Sequence, residues 1–384
     1  MTSGAGAGRR TYAAIVASGA VGAFAYGLTT PLLSLSLEAR GESATTSGLL
    51  AAAGSFAIIL LSPFVPLIAR RMGVLAALFL GLGAVVAALL VFSATSSLWV
   101  WFPMRVLAGF GIGLHWILSE TWLNAVAEER VRGRAIAAYM TLVACGFGSG
   151  SILIAAVGAE GVGLFHAGAA LVALSGLPLW LARREIPPAP ARARAAVAAT
   201  FRRFPLLMLA ATLGGINDMS MIALMPVYGV RTGLMPENAA LLLSVYMAGT
   251  IALQLPMGWL ADHADRRRVL LCAAAATATL AFLYPFTAGT WMLWPVLFVW
   301  GGCALALYTV SLALVASRTE AGGLAAANAA FVMLYEMGSL SGPTLTGAAM
   351  DAFGPWGLPW TLAAIGFGFV AAGVFIRRGW GEAG

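Results

Sequence analysis

The chain has 384 residues; 61% are hydrophobic and only 10% charged, and the mean hydropathy is +0.91. A soluble domain carries about 25% charged residues, so a water-soluble enzyme or binding domain is excluded. The net charge of +7 does not indicate nucleic acid, because the 22 basic residues, all arginines, lie between apolar runs with the exception of Arg105.

Runs of about 20 apolar residues, enough to cross a bilayer as a helix, recur along the whole chain. The period-2 alternation of a membrane β-barrel is absent. The opening MTSGAGAGRRTYAAIV has a basic flank followed by an apolar run. That run extends about 22 residues and lacks a small-x-small site near the end expected of a signal peptide's apolar region, so it reads as a spanning helix and not a signal peptide.

Twelve spanning helices are predicted: 12–34, 46–67, 74–93, 98–125, 134–157, 161–182, 205–229, 238–261, 269–287, 290–315, 324–349 and 357–376. The expected architecture is an all-α polytopic membrane protein with two pseudo-symmetric six-helix bundles. Their expected limits are 1–182 and 205–384, joined by a basic linker at 183–204, RREIPPAPARARAAVAATFRRF. A plain linker is the favoured reading of that segment, a short helix on the inner leaflet the other.

Arginine placement sets the orientation. With the N-terminus cytoplasmic, inner segments hold 19 arginines, outer segments hold only Arg40 and Arg231, and Arg105 lies within the membrane. One helix missed or invented would destroy this asymmetry. Both termini are therefore expected on the cytoplasmic side of the membrane.

The two halves are related. A shift of 192 carries Pro103 onto Pro295, Gly109 onto Gly301, Gly146 onto Gly338 and Gly150 onto Gly342. A parallel repeat of two six-helix halves is a transporter architecture.

The stretch WFPMRVLAGFGIGLHWILSETW, 101–122, places Arg105 and Glu120 in one apolar helix. A charge at the bilayer centre costs between about 3 and over 10 kcal/mol, so each must face a cavity or a partner. Roughly 22 Å of helical rise separates the two, so they cannot pair with each other. Arg105 shares a helical face with Gly109, Ile112, Trp116 and Ser119. His115 lies about 80° off that face and reads as packing.

Asp218, beside Asn217, sits near the middle of the seventh predicted helix, and Glu336 near the middle of the eleventh. A carboxyl group removed from water holds its proton to higher pH, the property a proton carrier needs. Arg105, Asp218 and Glu336 are the expected proton-coupling residues, Arg105 tuning one acid. Tyr26, Trp116, Glu120, Asn217, Tyr246 and Tyr308 are the expected lining of a substrate cavity, with Gln254 a further polar candidate.

Cys145, Cys272 and Cys303 lie within apolar runs, with neither disulfide nor metal spacing. No HExxH, no phosphate-binding GxxxxGK[ST] and no serine–histidine arrangement occurs. Neither an enzyme, a metal nor a cofactor is expected. The glycine pairs 109/113, 146/150 and 338/342 each form GxxxG, which lets helices approach closely.

GWLADHADRRRVL, 258–270, and RVLAGFGIG, 105–113, resemble the major facilitator superfamily. The first resembles its loop signature between helices 8 and 9, with Gly258, Asp262, Arg266 and Arg267 as gating residues. The second resembles its helix-4 signature, whose arginine is linked to proton coupling. In the corresponding loop between helices 2 and 3, Ala69 stands where the acidic residue belongs. ETWLNAVAEERVRGRAIAAYM is similar to the YcaD-like bacterial branch. The resemblance implies alternating access around a site between the two halves, a monomer, and a small-molecule substrate moved with protons across the lipid bilayer. Export is the favoured direction, of amphipathic or weakly cationic compounds. An uptake symporter is the near alternative, and a non-transporting sensor or scaffold is the alternative of another class.

Overall fold

The computed structural model describes residues 3–126, 132–159, 161–186, 197–320 and 323–375; for 3–10, 124, 126, 132–137 and 325 it describes backbone alone. Twelve long helices follow one another: α1 Ser3–Ala39, α2 Ala44–Met72, α3 Val74–Ala94, α4 Leu98–Val126, α5 Arg132–Val157, α6 Gly163–Leu181, α7 Pro205–Arg231, α8 Pro236–His263, α9 Arg266–Leu283, α10 Leu293–Ser317, α11 Leu324–Phe353 and α12 Gly357–Phe375. Among the described residues eleven are long and apolar enough to span a membrane. The remaining long helix, α11, has 30 residues and carries Glu336 and Asp351. The exterior is apolar, with Trp99, Leu255 and Phe375 at least 80% exposed.

The predicted spans recur with shifted ends. In α2 a single 3-10 turn at Ser62–Phe64 interrupts the helix where Pro63 removes a backbone donor. Gly73 then closes α2 at φ +87°, its N–H donating to the Ala69 carbonyl, a conformation that favours glycine. The α9 helix starts earlier than predicted because Asp265 caps it, Oδ1 accepting the Arg268 N–H at 3.0 Å. The second part of the linker is not plain chain. Val197–Arg203 forms a short helix, with Thr200 buried, packed against α11. Residues 187–196 and the inner-loop residues 127–131 lie outside the described set.

The chain forms two compact units, Met1–Leu32 with Ala53–Arg192, and Leu33–Ala52 with Ala193–Gly384. Each has its own buried apolar core. In the first unit α3 packs against α4 and α6; in the second α9 packs against α10 and α12. The glycines matched by the sequence repeat serve the same packing in each unit. A Cβ on Gly109 of α4 would meet Gly54 Cα of α2 at 2.8 Å, and one on Gly301 of α10 would meet the Tyr246 backbone of α8 at 2.9 Å. Gly146 and Gly150 seat α5 on α1, and Gly338 and Gly342 seat α11 on α7.

Residues 33–52, the end of α1 and the start of α2, belong to the second unit. There Asp351 of α11 accepts from the Ala44 and Thr45 N–H groups at 2.9 and 2.8 Å and from Thr45 Oγ1 at 2.6 Å. It thus caps the N-terminus of α2 from a remote helix. Arg231 donates to Glu38 with Nε and Nη2, at 2.8 and 3.0 Å, and to Asp351 with Nη1 at 3.2 Å. The Asp351→Ala variant is expected to lose about 1–2 kcal/mol of stability, the worth of an N-cap. Chemical unfolding in detergent measures this, and an unchanged midpoint would show that the cap contributes nothing.

Candidate functional site

The predicted residues fall into two groups, one in each unit. In the first unit, Tyr26 of α1, Ile112, His115 and Trp116 of α4, and Tyr139 and Phe147 of α5 line a narrow cavity. The rings set its walls: Tyr26 meets Phe147 edge-on at 5.7 Å, and Trp116 meets Phe147 at 6.5 Å. Gly19 and Gly22 complete the lining on α1. A Cβ on Gly19 would press on the Tyr139 ring at 2.6 Å.

Three polar groups flank this cavity. The Trp116 indole N–H donates to Glu120 Oε1 at 3.0 Å, one helical turn away on the same face. His115 is buried, and its Nε2 lies 2.8 Å from Ser18 Oγ. Arg105 is 1% exposed, stands 4.9 Å from the Tyr26 ring centroid, and donates from Nη2 to Thr30 Oγ1 at 2.7 Å. Among the described residues Arg105 makes no ion pair within its own unit.

In the second unit Asp218 of α7 is the centre of a polar network. Its Oδ1 accepts from the Tyr246 hydroxyl at 2.8 Å, and its Oδ2 from the Tyr335 hydroxyl at 2.9 Å. The Asn217 amide donates to Tyr246 Oη at 2.6 Å and approaches Asp218 Oδ1 at 3.4 Å. The Trp300 indole N–H in turn donates to Asn217 Oδ1 at 3.1 Å. Tyr308 packs edge-on against Tyr335 at 5.1 Å. Asn217 and Tyr246 are buried, whereas Asp218 and Glu336 are half-buried. Among the described residues Asp218 has no basic partner.

The Tyr335→Phe variant removes one of the two hydroxyls that hold Asp218. A hydrogen bond to a charged group contributes about 1.5–3 kcal/mol, so a stability loss of that order is expected when Asp218 is ionised. Equal stability of variant and wild type at every pH between 5 and 9 would contradict this contact.

The loop from α8 to α9 holds the signature residues. Asp262 pairs with Arg266 at 3.0 Å across the loop, Arg266 Nε donates to the Ala261 carbonyl, and Arg267 donates to the Gly373 carbonyl of α12. Gly258 is exposed, and nothing lies within 4 Å of a Cβ built on it, so close packing does not explain it. Among the described residues no cluster of potential metal ligands occurs. Cys145 and Cys272 are exposed, Cys303 is partly so, and all three are free thiols.

The family model for the Major Facilitator Superfamily matches residues 15–241 and 207–379. The chain belongs to the Major Facilitator Superfamily. It is therefore a multi-pass membrane transporter of small molecules and not a member of an enzyme class. Among its relatives is a Bacillus subtilis (strain 168) protein, the uncharacterized MFS-type transporter YfkF, 26% identical over 341 residues and covering 87% of each chain. Another is the uncharacterized MFS-type transporter YcaD of Escherichia fergusonii, 29% identical over 259 residues and 66% of each chain. Among solved structures, the nucleoside transporter NupG matches with a TM-score of 0.79 at 13% identity, covering 95% of this chain and 98% of that one. A D-xylose–proton symporter matches with a TM-score of 0.72 at 15% identity, covering 95% and 97%. At these identities the superfamily structures share the fold alone.

Sequence reasoning missed Tyr335, Trp300, Tyr139 and Phe147 as members of the two sites, and read His115 as packing alone. Phe147 had a signal. It stands about 100° from Gly146 and 60° from Gly150 on the helix, at the edge of the glycine face that meets another helix. Tyr335 and Trp300 had none, since each acts through a partner more than 80 positions away.

Proposed function

We propose that this superfamily member is a proton-coupled secondary transporter of a small amphipathic organic solute, operating by alternating access, with export favoured over uptake. The observation that carries the proposal is Asp218. A mid-helix carboxyl group, half-buried, is held by the hydroxyls of Tyr246 and Tyr335 with no ion pair among the described residues. A carboxylate ion-paired to arginine is committed to its charged form; one held by neutral donors can take and release a proton. Glu336, next to Tyr335 in α11, is the second acid of the proposal. The aromatic cavity formed by Tyr26, Trp116, Tyr139 and Phe147 supports an amphipathic solute, because apolar walls with a few polar groups bind such molecules. The protein acts as a monomer in the bacterial inner membrane with both termini cytoplasmic, in keeping with its arginine asymmetry. The pairing of Asp262 with Arg266 supports a gating role for the α8–α9 loop.

The test uses the full chain in proteoliposomes with a pH-sensitive dye inside. Addition of solutes from a library of amphipathic compounds is expected to drive protein-dependent proton movement. Movement outward or inward on solute addition separates symport from exchange. Solute flux without proton movement would overturn the coupling, and neither flux nor binding would favour a sensor or scaffold.

A further inference from the structure

Arg105 poses a problem of electrostatics that the transporter reading leaves open. Its guanidinium is 1% exposed, and only Nη2 has a hydrogen-bond acceptor, Thr30 Oγ1 at 2.7 Å. Nε and Nη1 are buried and have no acceptor among the described residues. The contacts that Arg105 makes within its own unit are neutral. The Tyr26 ring lies beneath the guanidinium, Thr30 stands at one edge, and Gly54 of α2 lies beside Nε. No carboxylate forms an ion pair with it among the described residues. A buried arginine left uncompensated is costly, several kcal/mol after relaxation, and its donors carry a further penalty while unmet.

The neighbouring backbone lies close against the guanidinium. A Cβ on Gly54 would sit 3.3 Å from Nε and 3.5 Å from Cζ, so any side chain there would press directly on the guanidinium. Tyr26, whose ring carries Arg105, also lines the aromatic cavity of this unit. A guanidinium prefers planar anions, which it binds through two donors at once.

We propose that Arg105 is the receptor for an anionic group of the transported solute, a carboxylate or a similar planar oxyanion, whose apolar part lies on Tyr26 in the aromatic cavity. The ligand supplies the negative charge that the protein does not. This deepens the transporter reading by naming a substrate class, amphipathic organic acids, and it moves Arg105 from tuning a coupling acid to binding solute. In the present structure the guanidinium is closed off from solvent, so the anion reaches it in another conformation of the cycle.

The probe is benzoate, with benzamide as a neutral molecule of the same shape. Both are titrated against the purified full-length protein in detergent at constant ionic strength, with thermal unfolding and calorimetry as readouts. Wild-type protein is expected to bind benzoate and to discriminate against benzamide by about tenfold or more, the difference a charge-assisted hydrogen bond makes. Arg105→Gln is expected to lose that discrimination while keeping cooperative unfolding, and without ligand to melt no lower than wild type, since it relieves an uncompensated buried charge. Arg105→Lys is expected to keep a weakened preference for benzoate. Equal binding of benzoate and benzamide, no binding of benzoate, or full discrimination retained in Arg105→Gln would each overturn the proposal. A marked fall in the melting temperature of ligand-free Arg105→Gln would instead show a structural arginine. The wild type separates the two readings: benzoate discrimination without solute-driven proton movement sinks the coupling and leaves the anion site standing.

Discussion

Replacing Asp218 with asparagine is expected to abolish solute-driven proton movement while the protein remains folded. The amide keeps the shape of the carboxyl group and can still accept from one tyrosine hydroxyl, but it cannot bind and release a proton near neutral pH. Tyr246 and Tyr335 come from α8 and α11, so the carboxyl group is held from two other helices and the variant keeps that frame. Loss of coupling is therefore expected without loss of solute binding. Proton movement in proteoliposomes and the melting temperature in detergent report the two effects separately. Glu336→Gln serves as the companion variant. If transport against a gradient survives both Asp218→Asn and Glu336→Gln, neither acid carries the proton.

The second large effect concerns packing. Gly338→Leu is expected to prevent folding or to cost about 4 kcal/mol or more, at the severe end of single substitutions. Even a bare Cβ at Gly338 would overlap the Thr212 carbonyl of α7 and lie 2.9 Å from the Ile216 backbone nitrogen. Both obstacles are backbone, which cannot turn aside as a side chain does, so α11 and α7 must separate. Separation would move Tyr335 away from Asp218, because the two sit on these helices. Gly83 and Gly368 are the controls. Nothing lies within 4 Å of a Cβ on either, so leucine there is expected to change stability by no more than about 0.5 kcal/mol. Expression, monodispersity in detergent and unfolding midpoints compare all three. A Gly338→Leu protein as stable as the controls would refute the packing role.

The sequence by itself determined the number of helices, their approximate limits and the repeat. These depend on local quantities, run length and apolar content, which need no knowledge of what lies across a helix. The repeat was legible in Gly109, Gly146 and Gly150 and their counterparts Gly301, Gly338 and Gly342, because a close helix crossing demands the smallest residue at a fixed place. Arg105, Glu120, Asp218 and Glu336 were legible as exceptional because charge in an apolar helix carries a cost wherever it sits.

Only the tertiary structure decided what these groups touch. Arg105 meets Tyr26 and Thr30 of α1, 79 and 75 positions away. Asp218 meets Tyr246 and Tyr335, 28 and 117 positions on. The start of α2 is capped by Asp351, more than 300 positions later. Such partners leave no periodic trace, because a hydrogen bond between helices depends on rotation and depth that many sequences could satisfy. The helix ends shifted for the same reason. Asp265 moved the start of α9 earlier and Pro63 tightened a turn of α2 through local geometry that hydropathy does not register. Apolar content places a helix in the membrane, and its contacts with neighbouring helices decide which of its polar groups can do chemistry.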